Sequence, residues 1–179
     1  MTVSAFAKKK GPSQYIAQGE YAVDTRENSK ITTILGSCVA TCLWDPIAKV
    51  GGMNHFLLPN STGGEGAISS FGANSMELLI NALIKSGADR RRLRAKVFGG
   101  AEMYKGLTSA GSQNAAFVLD YLKCEDIPCD GQSLGGSQAR RVEFMPTLGA
   151  ARQKLVEDTI VAKPEPVAPP PPSNDLELF

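Results

Sequence analysis

The sequence predicts an α+β fold: a layered α/β sandwich, mostly antiparallel strands with two main amphipathic helices packed on the sheet. Three observations carry this expectation. Short runs rich in β-branched and aromatic residues, "YIAQGEYAVDT", "KITTILGSCVATCLWD" and "KVGGMNHFLLP", are cut by glycines and prolines at strand spacing. Two longer windows repeat apolar residues at helical period. The strand runs cluster apart from the helices instead of alternating with them, which argues against a doubly wound sheet.

Taken in order, residues 1–14 form a mobile N-terminal segment, basic at "KKK" and broken by Gly11-Pro12. "YIAQGEYAVDT" reads as one or two strands around Gly19. "KITTILGSCVATCLWD" reads as a strand, a break at Gly36 and a second strand ending at Asp45-Pro46. "KVGGMNHFLLP" is a further strand run, with Gly51-Gly52 as its turn. "STGGEGAISSFG" reads as a loop leading to a helix capped by Asn74, with Glu77 three residues on completing a capping box. Met76, Leu79, Ile80, Leu83 and Ile84 give that helix an apolar face, and Gly87 supplies its left-handed stop. "RAKVFGGAEMY" is a strand with a tight glycine turn. "SQNAAFVLDYLK" is the second helix, with Phe117, Val118, Tyr121 and Leu122 aligned. Ile127 to Phe144 reads as strand, "LGGSQAR" loop, strand. A single domain spans 15–160. Residues 161–179 are a Pro-rich disordered tail, an extended spacer ending in "NDLELF" that resembles a tethered docking peptide.

Composition narrows the function classes. A formal net charge of +1 gives no support for nucleic-acid binding. The local run Arg90, Arg91, Arg92, Arg94 and Lys96 reads either as a solvated turn or as a patch steering an acidic partner. No apolar window is long enough for membrane insertion, and no secretory signal precedes the domain. That points to a cytoplasmic protein whose four cysteines are thiols. The spacings from Cys38 to Cys42 and from Cys124 to Cys129 miss zinc-site patterns, so no metal is expected.

"ITTILGSCVATCLWDP" places Cys38 at a glycine turn, and His55, the only histidine of the chain, follows on the next strand. A thiol with its ordinary pKa is mostly protonated at neutral pH and needs a neighbouring base to become a nucleophile. An antiparallel partner strand would bring His55 beside it. Thr32, Thr33 and Asn54 are the candidates for orienting the imidazole, and turn N–H groups near Gly36 to Cys38 would hold an oxyanion. A buried cysteine that only packs gives the same pattern, so packing and chemistry both stay open on the residues alone.

"TILGSCVATCLWDP", "VGGMNHFLLP", "MELLINALIKSGADRRRLRAKVFGGAEM", "NAAFVLDYL" and "LGG" followed by "RRVEF" together resemble the CheD family, chemoreceptor glutamine deamidases of bacterial chemotaxis. The likeness runs from about residue 17 to 150, in the family's order. It implies a catalytic cysteine at Cys38 and a catalytic histidine at His55. It also implies a threonine six residues before the cysteine, which falls on Thr32, with Thr33 competing for the role. Gly36, Ser37, Asn54, Phe98, Gly99 and Gly100 are the implied contributors to substrate, oxyanion or partner binding. The resemblance implies thioester chemistry without metal or organic cofactor. The implied substrate is the cytoplasmic helices of methyl-accepting chemoreceptors, with glutamyl methyl esters also allowed. It implies a CheC-type phosphatase as partner, and a chain acting mainly as that phosphatase's regulator is the alternative reading.

Overall fold

The computed structural model describes residues 11–59, 64–103 and 110–156. Within them, β1 (Ser13–Tyr15), β3 (Lys30–Leu35), β8 (Arg140–Met145) and β9 (Ala150–Leu155) form one sheet in the order β1-β3-β8-β9. A second sheet runs β2 (Tyr21–Asp24), β5 (Val50–Asn54), β4 (Val39–Asp45), β6 (Arg94–Gly99), β7 (Cys129–Leu134). Only β1–β3 and β6–β7 pair in parallel; the other ladders are antiparallel. Helices α1 (Gly64–Lys85) and α2 (Ala110–Cys124) complete the described elements, and the α+β sandwich expected from the sequence is what they form.

Two apolar layers set the order of packing. Val39, Leu43, Val50, Ala95 and Val97 of the five-stranded sheet meet Met76, Leu79, Ile80 and Leu83 of α1 and Val118 and Leu122 of α2. The opposite face of that sheet, with Ala40, Cys42, Trp44, Met53 and Phe98, meets Ile31, Leu35, Val142 and Phe144 of the four-stranded sheet. The result is three layers: helices, sheet, sheet. β4 feeds both interfaces by its two-residue alternation, so all seven of its residues are buried. A fully buried Leu or Ile here contributes about 1.5–3 kcal/mol. Cys38 and His55 lie at the end of the layer between the sheets.

Several local expectations change. α1 starts at Gly64, so most of "STGGEGAISSFG" is helix and Asn74 sits inside it rather than capping it. Glu77 does not reach back to a cap; it accepts from the Arg90 guanidinium at 2.9 Å and from the Tyr121 hydroxyl at 2.5 Å. The glycines of α1 hide the helix in the sequence because tertiary contact overrides helix propensity: a Cβ at Gly72 would fall 2.4 Å from the Phe117 ring. Gly51 and Gly52 lie inside β5, not in a turn, where the Pro146 carbonyl and Leu79 leave no room for a side chain. Gly87, with φ +104°, does terminate α1. β9 was not read from the sequence. The "NDLELF" tail and most of the N-terminal segment lie outside the described residues.

The arginine run is a short 3-10 turn, Arg90–Arg92, entering β6. Its charges are paired with carboxylates of the same chain: Arg90 with Glu77 and Glu125, Arg91 with Asp89, Arg92 with Asp45, and Arg94 with Asp130. That favours a solvated turn over a surface patch for an acidic partner.

Asp45, at the end of β4, is fully buried and organises this corner. Its carboxylate accepts from the backbone of Ile47, Ala48 and Asp89 and from the Arg92 guanidinium. Burial alone would raise its pKa, but Arg92 and the three N–H groups outweigh it and hold the carboxyl well below the usual 3.8. Its stabilising contribution is therefore complete above pH 3.8 and fades as the pH drops from there toward the lower folded value. Asp45→Ala leaves a guanidinium and three N–H groups without their acceptor; the expected loss is about 3 kcal/mol or more. Urea unfolding at pH 7 measures it, and a loss under about 1 kcal/mol would contradict this account.

Candidate active site

The glycine turn at 36–38 is held by its carbonyls. Gly36 O accepts from Ala101 N at 3.0 Å, Ser37 O from the Asn114 side-chain amide at 2.8 Å, and Cys38 O from Gly100 N at 2.9 Å. Gly99 takes a φ of +115°, and a Cβ there would lie 2.1 Å from Cys38 O. Only glycine lets the β6 end come this close. A trans peptide points its N–H opposite to its C=O. Anchoring the Gly36 and Ser37 carbonyls into the body thus turns the N–H groups of Ser37 and Cys38 the other way. Asn114 was not anticipated from the sequence. It stands four and eight residues before Val118 and Leu122 on the buried face of α2, and its Oδ1 also accepts from Leu58 N at 2.9 Å. A polar residue in register with an apolar stripe was the available signal.

His55 follows β5. The β4–β5 register pairs Cys42 with Met53 and, through an isolated bridge, Val39 with Phe56. On that register Ala40 stands opposite His55 and Cys38 opposite Leu57. Cys38 and His55 are then diagonal neighbours on one face, a placement of about 7–8 Å in which the longer imidazole arm supplies the reach toward the short thiol. Both residues are largely buried, with 9% of Cys38 and 5% of His55 exposed. The site is the sheltered end of the inter-sheet layer.

The hydroxyl that orients the imidazole belongs to Thr33. Thr33 Oγ1 lies 2.7 Å from His55 Nδ1 and 2.8 Å from Ile16 O. A carbonyl only accepts, so the single hydroxyl proton goes to Ile16 O, and Nδ1–H donates to Thr33. Nε2 is then the bare nitrogen, and it is buried with no partner among the described residues. Thr32, the position implied by the family spacing, faces away; its Oγ1 donates at 3.5 Å to Gln14 O. Strand alternation is the physical reason, since Ile31, Thr33 and Leu35 turn into the layer between the sheets. Asn54 also points away from the imidazole: its Oδ1 accepts from Thr41 N and its amide reaches Ser75 O on the helix side. Phe98 is a core ring between the sheets, while Gly99 and Gly100 brace the Cys38 turn.

Electrostatics set the resting protonation. Burial pushes the Cys38 thiol up, opposed by its own backbone N–H. Burial pulls His55 below its ordinary 6.5, opposed by the Ile16 carbonyl and by the charge of Glu20. At neutral pH a protonated thiol therefore shares a sheltered face with a neutral imidazole. Cys42 is fully buried, and burial drives its thiol far up; Cys124 and Cys129 are exposed. Among the described residues no His, Cys, Asp and Glu cluster is suited to a metal, and no helix is long and apolar enough to cross a membrane.

Thiol, imidazole and orienting hydroxyl on an α+β sandwich define a cysteine–histidine site. The family described as CheD chemotactic sensory transduction matches residues 57–155. Relatives named "Probable chemoreceptor glutamine deamidase CheD" extend the likeness over the site itself. That of Agrobacterium fabrum is 49% identical over 92% of this chain and 95% of its own. That of Caulobacter sp. strain K31 is 47% identical over 100% of both chains, and that of Acidiphilium cryptum is 49% identical over 92% of each. The chain belongs to the CheD family.

A single histidine makes the tautomer directly readable. Nitrogen-15 correlation spectra of the imidazole should show Nδ1 protonated and a pKa below 6.5. Thr33→Val should erase that tautomer preference while Thr32→Val leaves it intact. The reverse pattern would return the orienting role to Thr32.

Proposed function

We propose that this chain is a protein-glutamine deamidase that converts chemoreceptor glutamines to glutamate through Cys38, His55 and Thr33. The names of its relatives, chemoreceptor glutamine deamidases, support the substrate class. The observation that carries the chemistry is Nε2 of His55, unpartnered among the described residues, a buried base fixed in the reactive tautomer on the face that holds the thiol.

Nε2 takes the Cys38 proton as sulfur bonds to the side-chain carbonyl carbon of a substrate glutamine. The N–H groups of Ser37 and Cys38, turned outward by the anchored carbonyls, receive the oxyanion. The imidazolium then passes its proton to the leaving nitrogen, the C–N bond breaks, and ammonia departs from a thioester. Water, deprotonated by Nε2, attacks that thioester; the S–C bond breaks and the thiol regains its proton. The net reaction is glutamine plus water to glutamate plus ammonia. Thr33 keeps the proton on Nδ1 throughout, so that one nitrogen performs both transfers. Neither methyl-ester cleavage nor regulation of a CheC-type phosphatase draws on any separate feature of the described residues.

Receptor-helix peptides read the outcome by mass spectrometry and ammonia release. Cys38→Ala and His55→Ala should each lower kcat/KM by about 10²-fold or more. Thr33→Val should cost about tenfold and Thr32→Val about twofold at most. A neutral imidazole is the base, so kcat/KM should rise with pH through an acid limb below 6.5 and decline as His55 protonates. Full activity in the His55→Ala protein would overturn the proposal.

A further inference from the structure

The segment 17–20 lies directly over the site and is tied to it. Gly19 N donates to His55 O at 2.8 Å, and His55 N donates to Glu20 O at 3.0 Å. The Glu20 carboxylate takes Ala17 N–H at 2.7 Å, closing a tight loop with Gly19 at φ +87°. The loop cannot drift from His55 without breaking these bonds. From its exposed tip, the side chain of Gln18 extends to the nucleophile: Cys38 Sγ donates to Gln18 Oε1 at 3.5 Å.

A primary carboxamide thus rests on the thiol of a site whose proposed substrate is a primary carboxamide. The pose is a resting one. The thiol proton is directed to the Gln18 oxygen and not to Nε2, which has no partner among the described residues. The Gln18 oxygen sits on the sulfur rather than on the N–H groups that would hold an oxyanion. We propose that Gln18 is the resident occupant of the carboxamide-binding position. It caps the Cys38 thiol until a substrate glutamine displaces it, and displacement frees the thiol to turn to Nε2. The substrate class rests on the deamidase reading; the cap itself does not.

The test uses a readout independent of turnover. Full-length wild-type, Gln18→Ala and Gln18→Met proteins are labelled with iodoacetamide at pH 7. Modification of the Cys38 peptide is followed by mass spectrometry, which separates it from the exposed Cys124 and Cys129. Both variants should label Cys38 about threefold faster or more, the scale of one weak hydrogen bond, and should raise kcat/KM for receptor peptides similarly. Unchanged or slower labelling in both would overturn the cap. Faster labelling in Gln18→Ala alone would also overturn it, because bulk rather than the carboxamide would then cover the sulfur. Conversion of Gln18 itself to glutamate in wild type but not in Cys38→Ala would overturn it as well, by making the residue a substrate. Faster labelling without any deamidation of receptor peptides would leave the cap standing and sink the deamidase reading instead.

Discussion

Thr33 has one hydroxyl proton, and giving it to Ile16 O decides the character of the site. With that proton committed, the hydroxyl can only accept from His55, so the imidazole carries its hydrogen on Nδ1 and presents a bare Nε2. Leaving a buried acceptor unpaired costs about 1–3 kcal/mol. A fold tolerates such a group where neighbouring structure over-determines it, and here both sheets do so. The four-stranded sheet supplies Thr33, the five-stranded sheet supplies His55, and the 17–20 segment pins His55 through its backbone N–H and C=O.

The same logic extends to the thiol. Burial at the end of the inter-sheet layer keeps Cys38 protonated and His55 neutral, so neither group is charged at rest. In the proposed mechanism the pair works as acid and base only once a ligand changes their surroundings. Around them the scaffold is stiff where it needs to be. Three successive carbonyls of the 36–38 turn are bonded to Ala101, Asn114 and Gly100, two of them in the glycine-rich stretch after β6 and one on α2. Both apolar layers therefore act on one turn, which is how a helix packed on the far face of the sheet helps set the position of a sulfur.

Much of this was legible in the residues. Gly36, Cys38 and His55 stood out because a glycine turn and a lone histidine are sparse signals in an otherwise apolar stretch. The choice between Thr32 and Thr33 was also legible in principle. Ile31 and Leu35 mark the inward phase of β3, and Thr33 shares it. Spacing from the cysteine points to Thr32, whereas that alternation points to Thr33. The start of α1 was hidden because its first residues include glycines and serines of low helix propensity; of these, Gly72 is set tight against the Phe117 ring of α2. Asn54 was misplaced for the same two-residue reason: adjacent residues on an extended chain face opposite layers, so the neighbour of His55 cannot share its pocket. Gln18 could not be found by pattern. Its contact with Cys38 crosses 20 positions and depends on a loop closed by Glu20 and the backbone of His55.

The central claim is that Cys38 becomes covalently acylated because His55 Nε2 accepts its proton. Rapid acid quenching of the enzyme during turnover of a glutamine-bearing receptor-helix peptide, followed by intact-mass analysis, tests this most directly. A transient adduct of peptide minus ammonia should appear on Cys38 in wild type and be missing in His55→Ala. Glutamate appearing with no adduct on Cys38, or an adduct carried by another cysteine, would contradict it.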